Sequence, residues 1–236
     1  MEHAGYTTLS RQSGLAREMQ IVANNIANAA TTGYRAEGLI FSEYVQSVDQ
    51  GPSVSIGQGN VHNTSFEQGA LTKTAGTFDL AIEGDGYFLI ETPRGERLTR
   101  AGAFSPSANG DLVTYDGFPV LDAGGAPVFV PQGADIAISP DGTLSADGTP
   151  LGQIGVVRPL DPENMLREDG VMFRADGGIE PSETARVLQG FVENSNVNAV
   201  YQLARMIEVQ RAYELGQSFL ETEDERVRTA MKSLMT

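Results

Sequence analysis

Histidine, cysteine, activated serine and clustered carboxylates build most active sites and metal centres, and in this 236-residue chain they are absent or badly spaced. There is no cysteine, which excludes a thiolate nucleophile, a disulfide and a thiolate metal site. The two histidines, His3 and His62, stand in a terminus and in an irregular stretch, with no nucleophile or carboxylate spaced to work with them. Gly51-Pro52-Ser53-Val54-Ser55-Ile56-Gly57 looks like a nucleophile elbow but fails, because no serine in it has glycine at both −2 and +2. Ser139-Pro140-Asp141-Gly142-Thr143-Leu144-Ser145-Ala146-Asp147-Gly148 lacks the alternating ligand register and distant glutamate of a calcium loop, and reads as turns. No phosphate loop or dinucleotide fingerprint is present. No catalytic, cofactor-binding or metal-ligating residue is therefore assigned, and the chain is not read as an enzyme. A secreted β-rich enzyme, acting for instance on cell wall, is the rival from another class.

The formal net charge is −15. Nucleic-acid binding depends on Lys and Arg neutralising phosphates, so this balance argues against it, and against anionic lipid for the same reason. No apolar run approaches the ~18 residues of a membrane span, so membrane insertion is not expected. The first twenty residues carry Glu2, Arg11, Arg17 and Glu18 and no apolar h-region, so no cleaved signal peptide is expected.

The elements that must position any functional side chain change character along the sequence. Near the start, Leu9, Ala16, Ala23 and Ala30 are seven apart, with Gln12, Met19 and Ile26 interleaved. That 3-4 alternation places all seven on one helical seam, which Leu15 and Val22 widen. Thr31-Thr32-Gly33 suits a helix stop. At the other end, Met206, Tyr213, Leu220, Val227 and Leu234 are again seven apart, with Val209, Gly216 and Ala230 as companions and Glu223 as a polar break. No proline follows Pro181, so a helix is predicted from about Asn198 to the end. Asn194, Ser195, Asn196 and Asn198 are its candidate N-caps, and pairs such as Asp224 with Arg228 decorate its outer face.

Between the helices the period shifts to that of strands. Phe78, Leu80 and Ile82 alternate, then Tyr87-Phe88-Leu89-Ile90 forms a continuous apolar run. Apolar segments follow at 112–115, 119–121, 128–130, 136–138, 152–157 and 187–192. Asp-Gly or Asn-Gly pairs at 85, 109, 116, 141, 147 and 176 punctuate them. The predicted fold class is α+β: terminal helices (1–33 with 194–236) paired as a coiled-coil-like domain, and an all-β domain over 78–193 that is expected to fold without them. Residues 34–77 read as an extended connector with room for a short hairpin.

Three motifs carry a family resemblance. Ala23-Asn24-Asn25-Ile26-Ala27-Asn28 leads through a Thr-containing link to Gly33-Tyr34. Leu98-Thr99-Arg100-Ala101-Gly102-Ala103-Phe104 is followed by Asn109-Gly110-Asp111-Leu112-Val113-Thr114 and Gly117-Phe118-Pro119-Val120-Leu121. Ser195-Asn196-Val197-Asn198 precedes Met206-Ile207-Glu208-Val209-Gln210-Arg211-Ala212-Tyr213-Glu214. In this order they resemble the signatures of the bacterial flagellar rod and hook family, nearest to its proximal-rod branch, with the distal rod and hook-type axial subunits as alternatives. The resemblance implies a structural subunit of the basal-body rod, exported through the flagellar type III apparatus to a periplasm-spanning rod. Its implied partners are copies of itself, the distal rod protein FlgG and other proximal rod proteins. The assembly residues expected on that basis are Leu9, Ala16, Met19, Ala23, Asn24, Asn25, Ile26 and Asn28 on the first helix. On the last they are Met206, Val209, Tyr213, Leu220, Val227 and Leu234.

Overall fold

The computed structural model describes the backbone of residues 2–46 and 54–234, and side chains over 7–40 and 63–233. The side chains of His3, His62 and Leu234 lie outside the described residues. The chain divides into two units. One joins residues 1–29, 36–66 and 197–236; the other joins 30–35 and 67–196.

The first unit holds both long helices, α1 (Glu2–Ala27) and α2 (Ala199–Leu234), and a hairpin of β1 (Glu37–Gln46) and β2 (Val54–Thr64). Asn198 is the N-cap of α2: its Oδ1 accepts from the Tyr201 N–H at 3.0 Å, satisfying a donor that no helical carbonyl reaches. α1 stops earlier than its apolar pattern suggests, at Ala27, where Asn28 closes the last turn onto the Asn24 carbonyl. Thr31-Thr32-Gly33 is therefore not the helix stop. Within the span 34–77, read as an extended connector with room for a short hairpin, β1 and β2 pair antiparallel from Glu37↔Thr64 to Gln46↔Val54 with one bulge at Ile40/Phe41. A strand paired in this way needs no strict alternation if both faces meet different surroundings, and β2 packs along α1.

The second unit is all β, apart from a single 3-10 turn. Its strands run β3 (Leu71–Lys73), β4 (Leu80–Glu83), β5 (Tyr87–Thr92), β6 (Gly95–Thr99), β7 (Ser105–Pro106), β8 (Leu112–Val113) and β9 (Ile136–Ile138). They continue with β10 (Thr143–Ala146), β11 (Thr149–Gln153), β12 (Val156–Pro159), β13 (Met165–Glu168), β14 (Met172–Ala175), β15 (Ile179–Pro181), β16 (Arg186–Gln189) and β17 (Phe191–Glu193). The largest sheet has the order β13-β14-β6-β5-β12-β15. β5 explains the run Tyr87–Ile90. Phe88 and Ile90 enter one core with Leu80, Ile82, Leu112, Val120, Leu144 and Ile154. Tyr87 and Leu89 enter a second core with Leu98, Leu121, Val157 and Phe173 on the other side. A strand covered on both faces loses its alternation. In the segments at 119–121 and 128–130, Val120, Leu121, Val128 and Val130 are buried while Phe129 is exposed, and these segments make only isolated bridges. Asp147 and Gly148, both at positive φ, form the two-residue turn between β10 and β11.

Candidate assembly surface

The two helices of the first unit pack antiparallel. Gln12 Nε2 reaches the Tyr213 carbonyl at 3.4 Å, and Arg205 Nε donates to Glu18 Oε1 at 2.6 Å. As α1 advances, its partners on α2 recede. Val209 is 1% exposed at the middle of the contact, and Leu15, Ile21 and Val22 of α1 are buried. The Glu18 carboxylate is largely buried and holds Arg205 above its ordinary pKa through that hydrogen bond; Arg205 also pairs with Glu208.

The contact face of α2 is the one its heptads predict. Met206, Val209, Tyr213, Gly216 and Leu220 are buried or half-buried, and Glu223 is half-buried. The face of α1 differs from the predicted seam. On α1, Leu9, Ala16 and Ala23 are exposed, as is Ala30 beyond the helix end; Gln12, Met19 and Ile26 are half-buried; the buried line is Leu15, Glu18, Val22 and Asn25. The buried line thus lies one residue earlier, a rotation of roughly 100°, and it is covered by α2 and the β1–β2 hairpin together, Glu18 meeting Arg205 of α2 and Asn25 meeting Glu37 of β1. Leu15 and Val22, which widen the predicted seam, are buried together with Ile21, whereas the alanines of the seam are exposed. The other two buried positions, Glu18 and Asn25, are polar and escape an apolar count, but each is buried with a partner of its own.

The three asparagines of the first motif take different places. Asn25 is fully buried and bonds Glu37 in both directions. Asn28 Nδ2 donates to the Asn24 carbonyl at 2.9 Å, a local closure of the helix end. Asn24 is exposed.

Much of α2 is left uncovered within the unit. Leu203, Ile207, Leu215 and Phe219 follow an i,i+4 ridge interrupted only by Arg211, with Val200 at its start, and all five are exposed, Leu215 at 73%. This ridge follows a four-residue period, which a seven-residue pattern does not register. Beyond Glu223 the helix outruns α1 by roughly three turns, and there Val227 and Met231 are exposed. The ion pairs of that stretch, Asp224–Arg228 at 2.9 Å and Glu223–Arg226 at 2.8 Å, stay on α2 itself. A groove of about 330 Å³ between the helices is lined by Leu15, Ala212, Leu215 and Phe219, with Arg11 at its rim. Exposed apolar area on this scale in a charged chain marks an interaction surface more than a reaction centre. The supposed calcium loop is a turn in which Asp141 accepts from both the backbone and the hydroxyl of Thr143, which holds its pKa below the usual carboxylate value.

Residues 6–35 match the family described as "Flagella basal body rod protein", residues 81–146 that described as "Flagellar hook protein FlgE/F/G D1 domain", and residues 188–233 "Flagellar basal body rod FlgEFG protein C-terminal". A protein of Caulobacter vibrioides named flagellar basal-body rod protein FlgF is 37% identical over 241 residues, covering 99% of this chain and 98% of its own length. The chain belongs to the flagellar basal-body rod protein family. A FlgF-named rod protein of Mesorhizobium japonicum is 38% identical, with 97% and 98% of the two chains covered. A FlgG-named rod protein of Bacillus subtilis is 32% identical, with 93% and 94% covered. This rod-family chain is thus more similar to these FlgF-named relatives than to that FlgG-named one, and the family is structural rather than enzymatic. Among the described residues of the rod-family chain, no helix is long and apolar enough to cross a membrane.

Proposed function

We propose that the chain is a proximal-rod subunit of the bacterial flagellum that joins neighbouring rod subunits, its own copies and the distal rod protein among them, through the uncovered faces of α1 and α2. The observation that carries this reading is the division of α2 into two apolar faces. One, through Val209, is spent on α1; the other, Leu203, Ile207, Leu215 and Phe219, is a ridge winding along the helix whose four side chains stay exposed, Leu215 and Phe219 edging the groove beside α1. Burying a Leu-sized side chain contributes about 1.5–3 kcal/mol, so four such residues against a neighbour stabilise an assembly appreciably. The exposed seam of Leu9, Ala16 and Ala23 offers α1 a second, flatter contact of small side chains. Export by the flagellar type III route and a place in the periplasm-spanning rod follow from the same family reading.

The test is a strain lacking the native chain, complemented with Leu215→Asp or with Glu225→Gln. Leu215→Asp should give soluble, folded, exported subunit and few completed rods, because a charge on an apolar contact costs several kcal/mol when the contact forms. Glu225→Gln should swim, since an exposed charge contributes little. Normal rods with Leu215→Asp would refute the role of this face.

A further inference from the structure

We infer that the buried ion triad Arg35–Glu193–Arg100 is a latch that holds the whole β unit closed, so that the unit opens as one body when the Glu193 carboxylate is removed. Arg35 and Glu193 are each 1% exposed and Arg100 is 3% exposed. Glu193 Oε1 lies 2.9 Å from Arg35, and Oε2 accepts from Arg100 at 3.1 Å. Two guanidiniums therefore share one carboxylate away from water.

The three residues come from chain segments far apart in sequence, and backbone bonds meet at the same point. Glu193 takes the Gly33 N–H on its carbonyl at 2.7 Å and the Gly69 N–H on Oε1 at 3.0 Å. Arg35 also donates to the Glu67 carbonyl, and Asn196 Nδ2 reaches that same oxygen at 2.8 Å. Arg100 donates to the carbonyls of Ile82 at 3.2 Å and Gly84 at 2.7 Å, at the end of β4, and its guanidinium lies over the Tyr87 ring at 5.0 Å. Around the triad the backbones touch closely: a Cβ on Gly33 would stand 2.2 Å from the Ala101 nitrogen, and one on Gly69 2.0 Å from the Asn194 oxygen. Residues 30–35, 67–70, 82–84, 100–101 and 193–196 are thus gathered on a single anion.

Desolvated guanidiniums tolerate burial only while the counter-charge is in place, and removing one partner of a buried ion pair is strongly destabilising. Losing Glu193 strands two cations at once, and the unit relieves them only by letting water in. Glu193 lies near the end of the unit's last segment, so a chain delivered N-terminus first, as in synthesis, completes the β unit only when nearly all of it has emerged. This inference is independent of the rod reading.

The test is amide hydrogen exchange on the full-length chain. In Glu193→Gln, amides from β4 to β16 should lose protection together by at least about a hundredfold, the signature of whole-unit opening. A charge-free variant carrying Arg35→Met, Arg100→Met and Glu193→Leu should regain much of the protection that Glu193→Gln loses, since apolar replacement of a buried ionic group is often neutral or stabilising, less the cost of the Gly69 N–H and of the Ile82 and Gly84 carbonyls that lose their side-chain partners. A Glu193→Gln chain that fails to fold while the charge-free variant folds also supports the latch. Loss of protection confined to β3 and β17 in Glu193→Gln would overturn it. So would a charge-free variant as exposed or unfolded as Glu193→Gln.

Discussion

Asn25 and Glu37 bond each other through both edges of one amide. The Asn25 Nδ2 donates to the Glu37 carbonyl at 2.7 Å, and its Oδ1 accepts from the Glu37 N–H at 2.9 Å. The asparagine thereby pairs the backbone at the first residue of β1 as a neighbouring strand would, and fastens the hairpin to α1. No other side chain of this length offers a donor and an acceptor side by side without charge, apart from the longer glutamine. Asn25→Asp keeps the shape but points a carboxylate oxygen at the Glu37 carbonyl. It should lower the stability of the helix-and-hairpin unit by several kcal/mol, more than the ~1–3 kcal/mol of an unsatisfied neutral group, because the new group is a buried charge. Asn24→Asp, one residue earlier and exposed, should change it by less than about 0.5 kcal/mol. Denaturation of the two purified variants, followed by helix circular dichroism, checks the difference.

Gly33 separates two kinds of glycine. Its φ is +70°, and a Cβ there would meet the Ala101 backbone nitrogen at 2.2 Å. Gly117 has φ +84° and nothing within 4 Å of its would-be Cβ. Gly117→Ala should therefore cost only the left-handed penalty of about 1–2 kcal/mol. Gly33→Ala should cost clearly more, because backbone must move against backbone at the base of the β unit. Thermal melts of both variants compare them directly.

The sequence motifs mark more of this arrangement than their apolar spacing does. Gly33, Arg100 and Asn25 all lie inside motifs that carry the family resemblance, yet periodicity assigns none of them a structural partner. Their contacts join residues 12 to 160 positions apart, and a linear pattern holds no record of such pairings. Helix α2, its cap region and most strands were legible because local period and turn residues decide them. The face of α1 was legible only in part: Leu15 and Val22 were read as widening its seam, but Glu18 and Asn25, buried in the same line, are polar. In the folded chain the compact β unit takes in more than 78–193: it includes 30–35 and 67–77, which bring in Arg35, the Gly69 N–H and β3. Nothing in the composition of those stretches announces that they belong to it.

Glu168 gives the β unit an acid-sensitive edge. Its pKa is lowered first by the hydrogen bond from Arg97 at 2.8 Å, and further by Arg174 and Arg94. A carboxylate whose folded pKa lies below its unfolded value of about 4.3 stabilises the fold at higher pH, and that contribution disappears as pH falls through the folded pKa. Glu168→Gln should therefore melt below the native chain at neutral pH, and the gap should close in acid below the lowered pKa. A gap that persists unchanged to the lowest pH would mean that the ionised side chain contributes nothing.

Val22 and Ala23 are neighbours in sequence on different faces of α1, and they separate folding from assembly. Val22 is buried, in the line of Leu15, Glu18 and Asn25, whereas Ala23 is exposed, in the line of Leu9 and Ala16. Val22→Asp buries an unpaired carboxylate and should destabilise the helix pair by several kcal/mol, measured as loss of protection in α1 and α2 by hydrogen exchange. Ala23→Asp adds a charge to a surface already in water and should shift the stability of the isolated subunit by less than about 0.5 kcal/mol. If the exposed line of α1 is where a neighbouring subunit packs, Ala23→Asp should still reduce completed rods in complemented cells, because that contact would desolvate the new charge. Full rod assembly with Ala23→Asp would remove α1's outer line from the assembly surface and leave the uncovered ridge of α2 to serve alone. A Val22→Asp protein as stable as the native chain would contradict the burial of this line of α1.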